Sequence, residues 1–202
     1  MKKVLFALLM LVASGVLNAQ EITMNMFNIY FGHPKKAVIV NGTNSTTVMF
    51  DENGRVFSKQ VGSMRYEYVW DDENDEVEVT LMNGDLKLNS SYIYINSFTP
   101  NSYDYEFDGV HFVVDLKDNG AIRKITMTNP QMTMTQEYFY DNEDDYIPQK
   151  IVSSNGMMVQ TTFIGTVELD EVGNMTKCTG ASNGMILEST NEIEYFLNSA
   201  HL

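Results

Sequence analysis

Apolar and polar residues alternate one for one along almost the whole chain, and helical periodicity is nearly absent. Residues 76–81 set Val77, Val79 and Leu81 on one face and Glu76, Glu78 and Thr80 on the other. Residues 64–70 gather Met64, Tyr66, Tyr68 and Trp70 in the same way. A period of two predicts strands with one face buried and one face wet. The same rule predicts strands at 24–29, 37–40, 48–50, 92–98, 103–107, 110–116, 121–128, 132–140, 148–153, 157–164, 166–169 and 175–179. At 192–197 the Ser189-x-x-Glu192 spacing could cap a short helix. Ile193, Tyr195 and Leu197 also alternate, and a strand is the reading adopted.

Between these runs stand turn formers. Asn53-Gly54, Asn83-Gly84, Asn119-Gly120, Asn155-Gly156 and Asn183-Gly184 are Asn-Gly pairs, and Asp108-Gly109 is a sixth signal of the same kind. Such pairs support positive φ at both central residues of a type I′ hairpin turn. The chain therefore reads as all-β, one domain over 20–202. Its architecture is an antiparallel meander of successive hairpins that forms an extended or curled repeat sheet, with a β-sandwich or barrel as the alternative. The weakest seam lies around 84–102.

A degenerate phrase recurs. Phe50-Asp51-Glu52-Asn53-Gly54-Arg55-Val56 is followed twenty residues on by Trp70-Asp71-Asp72-Glu73-Asn74-Asp75-Glu76-Val77. Tyr140-Asp141 and Leu169-Asp170-Glu171-Val172-Gly173-Asn174-Met175 echo it. With Tyr66-Glu67-Tyr68-Val69-Trp70-Asp71, these pieces resemble the tyrosine–aspartate (YD) repeats of bacterial secreted and surface proteins. The resemblance covers scattered pieces between residues 50 and 177. Asp75 stands where the repeat has Gly, and the spacing from Asp141 to Asp170 is 29 residues rather than twenty. It implies a sheet wound from hairpins and a role as scaffold, shell or adhesin, and it brings no catalytic residue.

The first nineteen residues change the picture of location. Lys2 and Lys3, the apolar run 4–12 and the small residues up to Ala19 have the layout of a secretory signal peptide cleaved before Gln20. The run is shorter than the ~20 apolar residues a spanning helix needs. The expectation is an exported protein, periplasmic, outer-surface or extracellular, with no membrane insertion after cleavage. Cleavage removes two of the 13 bases and none of the 27 acids, leaving a formal charge of −16. That charge repels nucleic acid.

Candidate chemistry is sparse. Cys178 is the sole cysteine, so no internal disulfide forms, and its place in an alternating run marks it as a small buried side chain. His33, His111 and His201 lack zinc spacing. The acid clusters 71–76 and 141–145 crowd carboxylates into turns but lack the Gly and Glu positions of a helix–loop–helix calcium site, and read as solvated turns. Met24-x-Met26 and Met132-x-Met134 read as one sheet face rather than a copper site. No metal or other cofactor is expected. The aromatic i, i+2 sets are the remaining candidates: Tyr66, Tyr68 and Trp70, Tyr92 and Tyr94, Tyr103 and Tyr105, and Tyr138 and Tyr140. If such a set lies on an open face it offers a platform to a glycan or a protein partner, and if it lies inward it is core, the reading that packing on half-buried sheet favours. The reading is an exported non-catalytic surface, scaffold or binding module, with Tyr66, Tyr68 and Trp70 as its ligand-binding residues. The alternative is a secreted, glycan-acting hydrolase with an acid-lined cleft.

Overall fold

The computed structural model describes residues 34–99 and 101–196. The expected signal segment, the strand expected at 24–29 and Met24 and Met26 lie outside those residues. Fourteen strands follow one another: β1 (Pro34–Asn41), β2 (Asn44–Phe50), β3 (Val56–Val61), β4 (Met64–Asp71), β5 (Glu76–Asn83), β6 (Leu86–Thr99), β7 (Ser102–Phe107), β8 (Val110–Leu116), β9 (Ile122–Asn129), β10 (Met132–Phe139), β11 (Lys150–Ser154), β12 (Val159–Leu169), β13 (Met175–Ser182) and β14 (Met185–Tyr195). Each pairs antiparallel with its chain neighbours, and β1 pairs antiparallel with β14 from Pro34↔Tyr195 to Asn41↔Ser189. The sheet is therefore a closed barrel and not an open repeat sheet. An even number of antiparallel strands brings first and last together in the pairing sense, and closure satisfies the two edges an open sheet would leave bare.

The structure adds β3, where no strand was expected, and starts β14 at Met185 rather than at 192, and two further segments differ from the sequence reading. The expected seam at 84–102 holds a single 14-residue strand, β6, whose register slips between Leu81 and Met82 of its partner and again between Ile95 and Ser97. Bulges of this kind erase the strict alternation while pairing continues. The strands expected at 157–164 and 166–169 are one strand, β12, bulged between Ile164 and Val167.

The two ends of the barrel are built differently. At one end lie two-residue turns and the four-residue turn 155–158, where Gly156 has positive φ and Asn155 does not, so that pair is not the type I′ turn expected of it. Asp108-Gly109 and Asn183-Gly184 have positive φ at both residues, as the type I′ reading requires. In the turn after Asn83 the pairing Asn83↔Leu86 makes Gly84 and Asp85 the central residues, and Gly84 alone has positive φ. Gly42 and Gly62 repeat that arrangement. The other end carries loops written by the recurring phrase. Asp51 and Arg55 close one with Asp51 N–H donating to the Arg55 carbonyl at 2.9 Å and Gly54 N–H to the Asp51 carbonyl at 2.9 Å. Lys117/Ala121 and Asp170/Asn174 close identical loops. In each the fourth residue is a Gly with positive φ, the geometry of a type I turn followed by a bulge. Asp75, at φ +53°, takes the left-handed place in the β4–β5 loop.

Inward positions are mainly apolar, with Thr46, Lys59, Gln136 and Thr162 buried among them. Tyr103, Phe50, Ile122 and Ile151 are the largest fully buried aromatic and aliphatic side chains, and all four sit near the loop end of their strands. Val56 and Val77 are buried at that end too. At the tight-turn end the inward Asn83 and Asn89 are exposed, Val61 and Leu81 are half-buried, and Met64 is 36% exposed. Burial thus deepens toward the loop end, which forms the floor of the barrel.

Candidate functional site

Tyr66, Tyr68 and Trp70 face inward, opposite Leu81, Val79 and Val77 across the β4–β5 ladder. All three are half-buried against the core. The Trp70 indole Nε1–H donates to the Val56 carbonyl at 2.8 Å, and the Arg55 guanidinium stands 5.3 Å above its ring while reaching Asp72 at 2.9 Å. Burial raises the Tyr66 phenol above its ordinary value. The structure brings these residues together as one wall of the interior. The outer face that the platform reading called for is occupied instead by Tyr92 and Tyr94, 41% and 49% exposed, their rings near-parallel at 6.1 Å. Glu78 lies opposite Tyr92, and Glu76 and Glu106 lie either side of Tyr94.

Around the barrel the outward positions mix hydroxylic and charged side chains with exposed apolar ones, among them Val69, Phe139, Phe163 and Ile186. Lys124–Glu137 at 3.1 Å, Lys177–Glu188 at 3.4 Å, Lys35–Glu194 at 2.8 Å and Lys87–Glu78 at 3.7 Å are ion pairs on the outer surface. Thr126, Thr128, Thr133 and Thr135 continue the row between them. Charge pairs and threonines lie outside among exposed apolar side chains, and the mainly apolar interior also buries Lys59, Gln136 and Thr162. Of the other residues singled out, Cys178 is buried and inward, with its thiol pushed up by burial. Met132 and Met134 share the inner face of β10. His111 faces outward, 3.9 Å from Asp104. Among the described residues no group of three or more His, Cys, Asp or Glu could hold a metal ion. The Asp71 carboxylate is taken up by the Asn74 side chain and by the N–H groups of Glu73 and Asn74, and these bonds lower its pKa.

A concavity of about 460 Å³ opens at the loop end, between the β10–β11 loop and the β12–β13 loop. Tyr146, Ile147, Leu169 and Val172 form apolar walls, with Asp144, Asp145 and Gly173 completing the lining. Both walls are fixed by side chains bonding to backbone. Lys117, buried at 3% exposure, donates from Nζ to the carbonyls of Asn142 at 3.1 Å and Asp145 at 2.9 Å, over the Tyr140 ring at 4.0 Å. Asn119 donates to the carbonyls of Glu143 and Asp145. On the facing loop the Asp170 carboxylate accepts from Val172 N–H at 3.1 Å, Asn174 N–H at 2.8 Å and the Tyr195 hydroxyl. Burial and that hydrogen bond push the Tyr195 phenol up to about 12. For Asp170 desolvation is the largest influence and acts upward, but the bonds from Tyr195, Asn174, Val172 and Gly173 together leave its pKa lowered. Sequence reading marked both segments, one as an acid cluster and one as a repeat copy. It had no signal that joined them.

No protein-family model and no curated protein matches the chain. Among solved structures its fold is similar to a porin-like protein from Bacteroides vulgatus, at 11% identity and TM-score 0.48 over 82% of this chain and 99% of that one. It is also similar to a porin-like protein from Bacteroides uniformis, at 11% identity and TM-score 0.33 over 82% of this chain and 98% of that one.

Proposed function

We propose that the chain is an exported, non-catalytic binding barrel that works in water rather than as a pore through a bilayer. The observation that carries this reading is the polarity of the outer surface. A membrane barrel turns an apolar band to lipid and keeps its polar side chains within, and a Lys or Arg on the lipid face costs about 2–4 kcal/mol at the bilayer midplane. Here the ion pairs Lys124–Glu137 and Lys177–Glu188 and the rows of threonine interrupt the exposed apolar side chains of the outer face, while Phe50, Tyr103 and Ile122, together with the buried Lys59 and Gln136, fill the inside. Strand length adds support. Most strands have five to eight residues, where a spanning strand needs about 9–11. The basic start and apolar run of residues 1–19 support export, with a location in the periplasm, at the outer surface or outside the cell. The absence of any catalytic constellation in the sequence reading is the basis for a binding role.

The test is fractionation of a bacterium expressing the full chain. The expected outcome is a soluble protein that starts at Gln20 by intact mass, stays monodisperse without detergent and gives no ion conductance in planar bilayers. Recovery only in detergent, or channel-like conductance, would overturn the reading. A glycan or peptide panel hydrolysed by the pure protein, with the activity lost on changing one carboxylate, would overturn its non-catalytic part.

A further inference from the structure

We infer that the concavity between the β10–β11 and β12–β13 loops is a binding site for an organic cation with an apolar body, such as an ammonium group carried on an aromatic or aliphatic stem. Its volume of about 460 Å³ lies within the range of small-molecule pockets, roughly 300–1,000 Å³. Its walls are four apolar side chains, of which Tyr146, Leu169 and Val172 are 40–51% exposed. Exposed apolar groups gathered around a concavity mark a place where something apolar is taken up.

The charges at the rim fix the sign of the ligand. Asp144 and Asp145 line the concavity and no basic residue does. Asp145 spends one carboxylate oxygen on the Asn142 N–H and amide. The Asp144 carboxylate accepts no hydrogen bond from any described residue. The nearby cation, Lys117, is buried behind the loop with its ammonium on carbonyls. An anionic ligand would meet two uncompensated carboxylates. A neutral apolar ligand would strip water from them without replacing it. A cation satisfies both the walls and the rim. Lys117, Asn119, Asp170 and Tyr195 hold the two walls in place before any ligand arrives, which lowers the ordering cost of binding. The inference stands independently of whether the barrel is exported or where it resides.

The experiment is titration of the purified protein followed by backbone-amide NMR, with three probes of one shape: 2-phenylethylammonium, 2-phenylethanol and 3-phenylpropionate. A blocked Lys-Phe dipeptide is a fourth probe and separates a free amine from a peptide as the source of the cation. Saturable shifts confined to residues 144–147 and 169–173, with the ammonium or the dipeptide bound at least tenfold more tightly than the anion, are expected. Asp144→Asn should weaken cation binding about fivefold or more and flatten its salt dependence. Val172→Ser should weaken it several-fold without changing the salt dependence. Both positions are exposed, and unchanged circular dichroism will show that each variant folds. Absence of saturable shifts at these loops, equal binding of all three probes, or unchanged affinity in Asp144→Asn would overturn the inference.

Discussion

The two ends of this barrel solve the same problem, reversing a strand, by different chemistry. At the tight-turn end Gly42, Gly62 and Gly84 supply positive φ with nothing within 4 Å of where a Cβ would stand, and Asn129 and Asn155 accept the N–H groups of residues that follow them. At the loop end side chains do it. Asp51 accepts the N–H groups of Asn53 and Arg55 through one oxygen, and Asp170 repeats the arrangement with Val172 and Asn174. The loop end also carries the buried floor and the fixed concavity, while the tight-turn end bears exposed Met157, Met158, Met185 and Ile186. Loops tied by side chains can hold a surface in a set shape.

The strongest way to break this comparison is to probe the interior at each end. Phe50→Ala, at the floor, should cost about 3–5 kcal/mol by urea unfolding. Met64→Ala, inward but at the open end, should cost less than about 1 kcal/mol. Equal losses would mean that the core is closed at both ends.

Removal of Asp170 comes next. Asp170→Ala abandons two backbone N–H donors and the Tyr195 hydroxyl, and should cost roughly 1–3 kcal/mol. The pair also sets a pH window. The lowered pKa of Asp170 means that its carboxylate form is favoured by folding, so its contribution is present above the ordinary value of 3.8 and is lost as pH falls through the lowered one. The raised pKa of Tyr195 means that its neutral hydroxyl is favoured, so that contribution is present below 10 and is lost as pH rises through about 12. Tyr195→Phe should flatten the alkaline limb and reduce the acid one. A variant with the parent's full pH profile would show that the pair contributes nothing.

Glycine replacements should separate backbone from side chain. Gly54→Val and Gly84→Val force a β-branched residue to positive φ at opposite ends and should each cost about 1–2 kcal/mol. Asp51→Ala should add a loss at the loop end for which the turn at Gly84 has no counterpart. The smallest effect belongs to Cys178. With its thiol buried, a reducing agent should leave the melting temperature unchanged, and a thiol reagent should react only on unfolding. A shift of several degrees would place Cys178 in a bridge between chains.

Much of the barrel wall was legible in the chain. Alternation through Val77, Val79 and Leu81, and through Tyr103, Tyr105 and Phe107, marked strands and which residues share a face because the side-chain period of a strand is fixed by covalent geometry. The recurring Asp-x-x-Gly phrase marked loops because Asp bonds locally to the N–H groups that follow it and Gly takes the left-handed residue. Where alternation slipped, at the bulges of β6 and β12, the reading broke the strands or doubted them.

Tertiary structure decided what local chemistry leaves open. Closure depends on Pro34 meeting Tyr195 across 161 residues of chain, and no local pattern encodes that pairing. Whether an aromatic pair faces core or water depends on which side of the sheet curls inward. This put Tyr66, Tyr68 and Trp70 inside and Tyr92 and Tyr94 outside, although both sets alternate alike in the sequence. The concavity joins residues 144–147 to 169–173 through two loops that close on one end of the ring. The sequence by itself determined period, turns and net charge, since these rest on neighbours a few residues apart. Closure, facing and the meeting of loops rest on distant contacts, and the folded barrel alone brings them together.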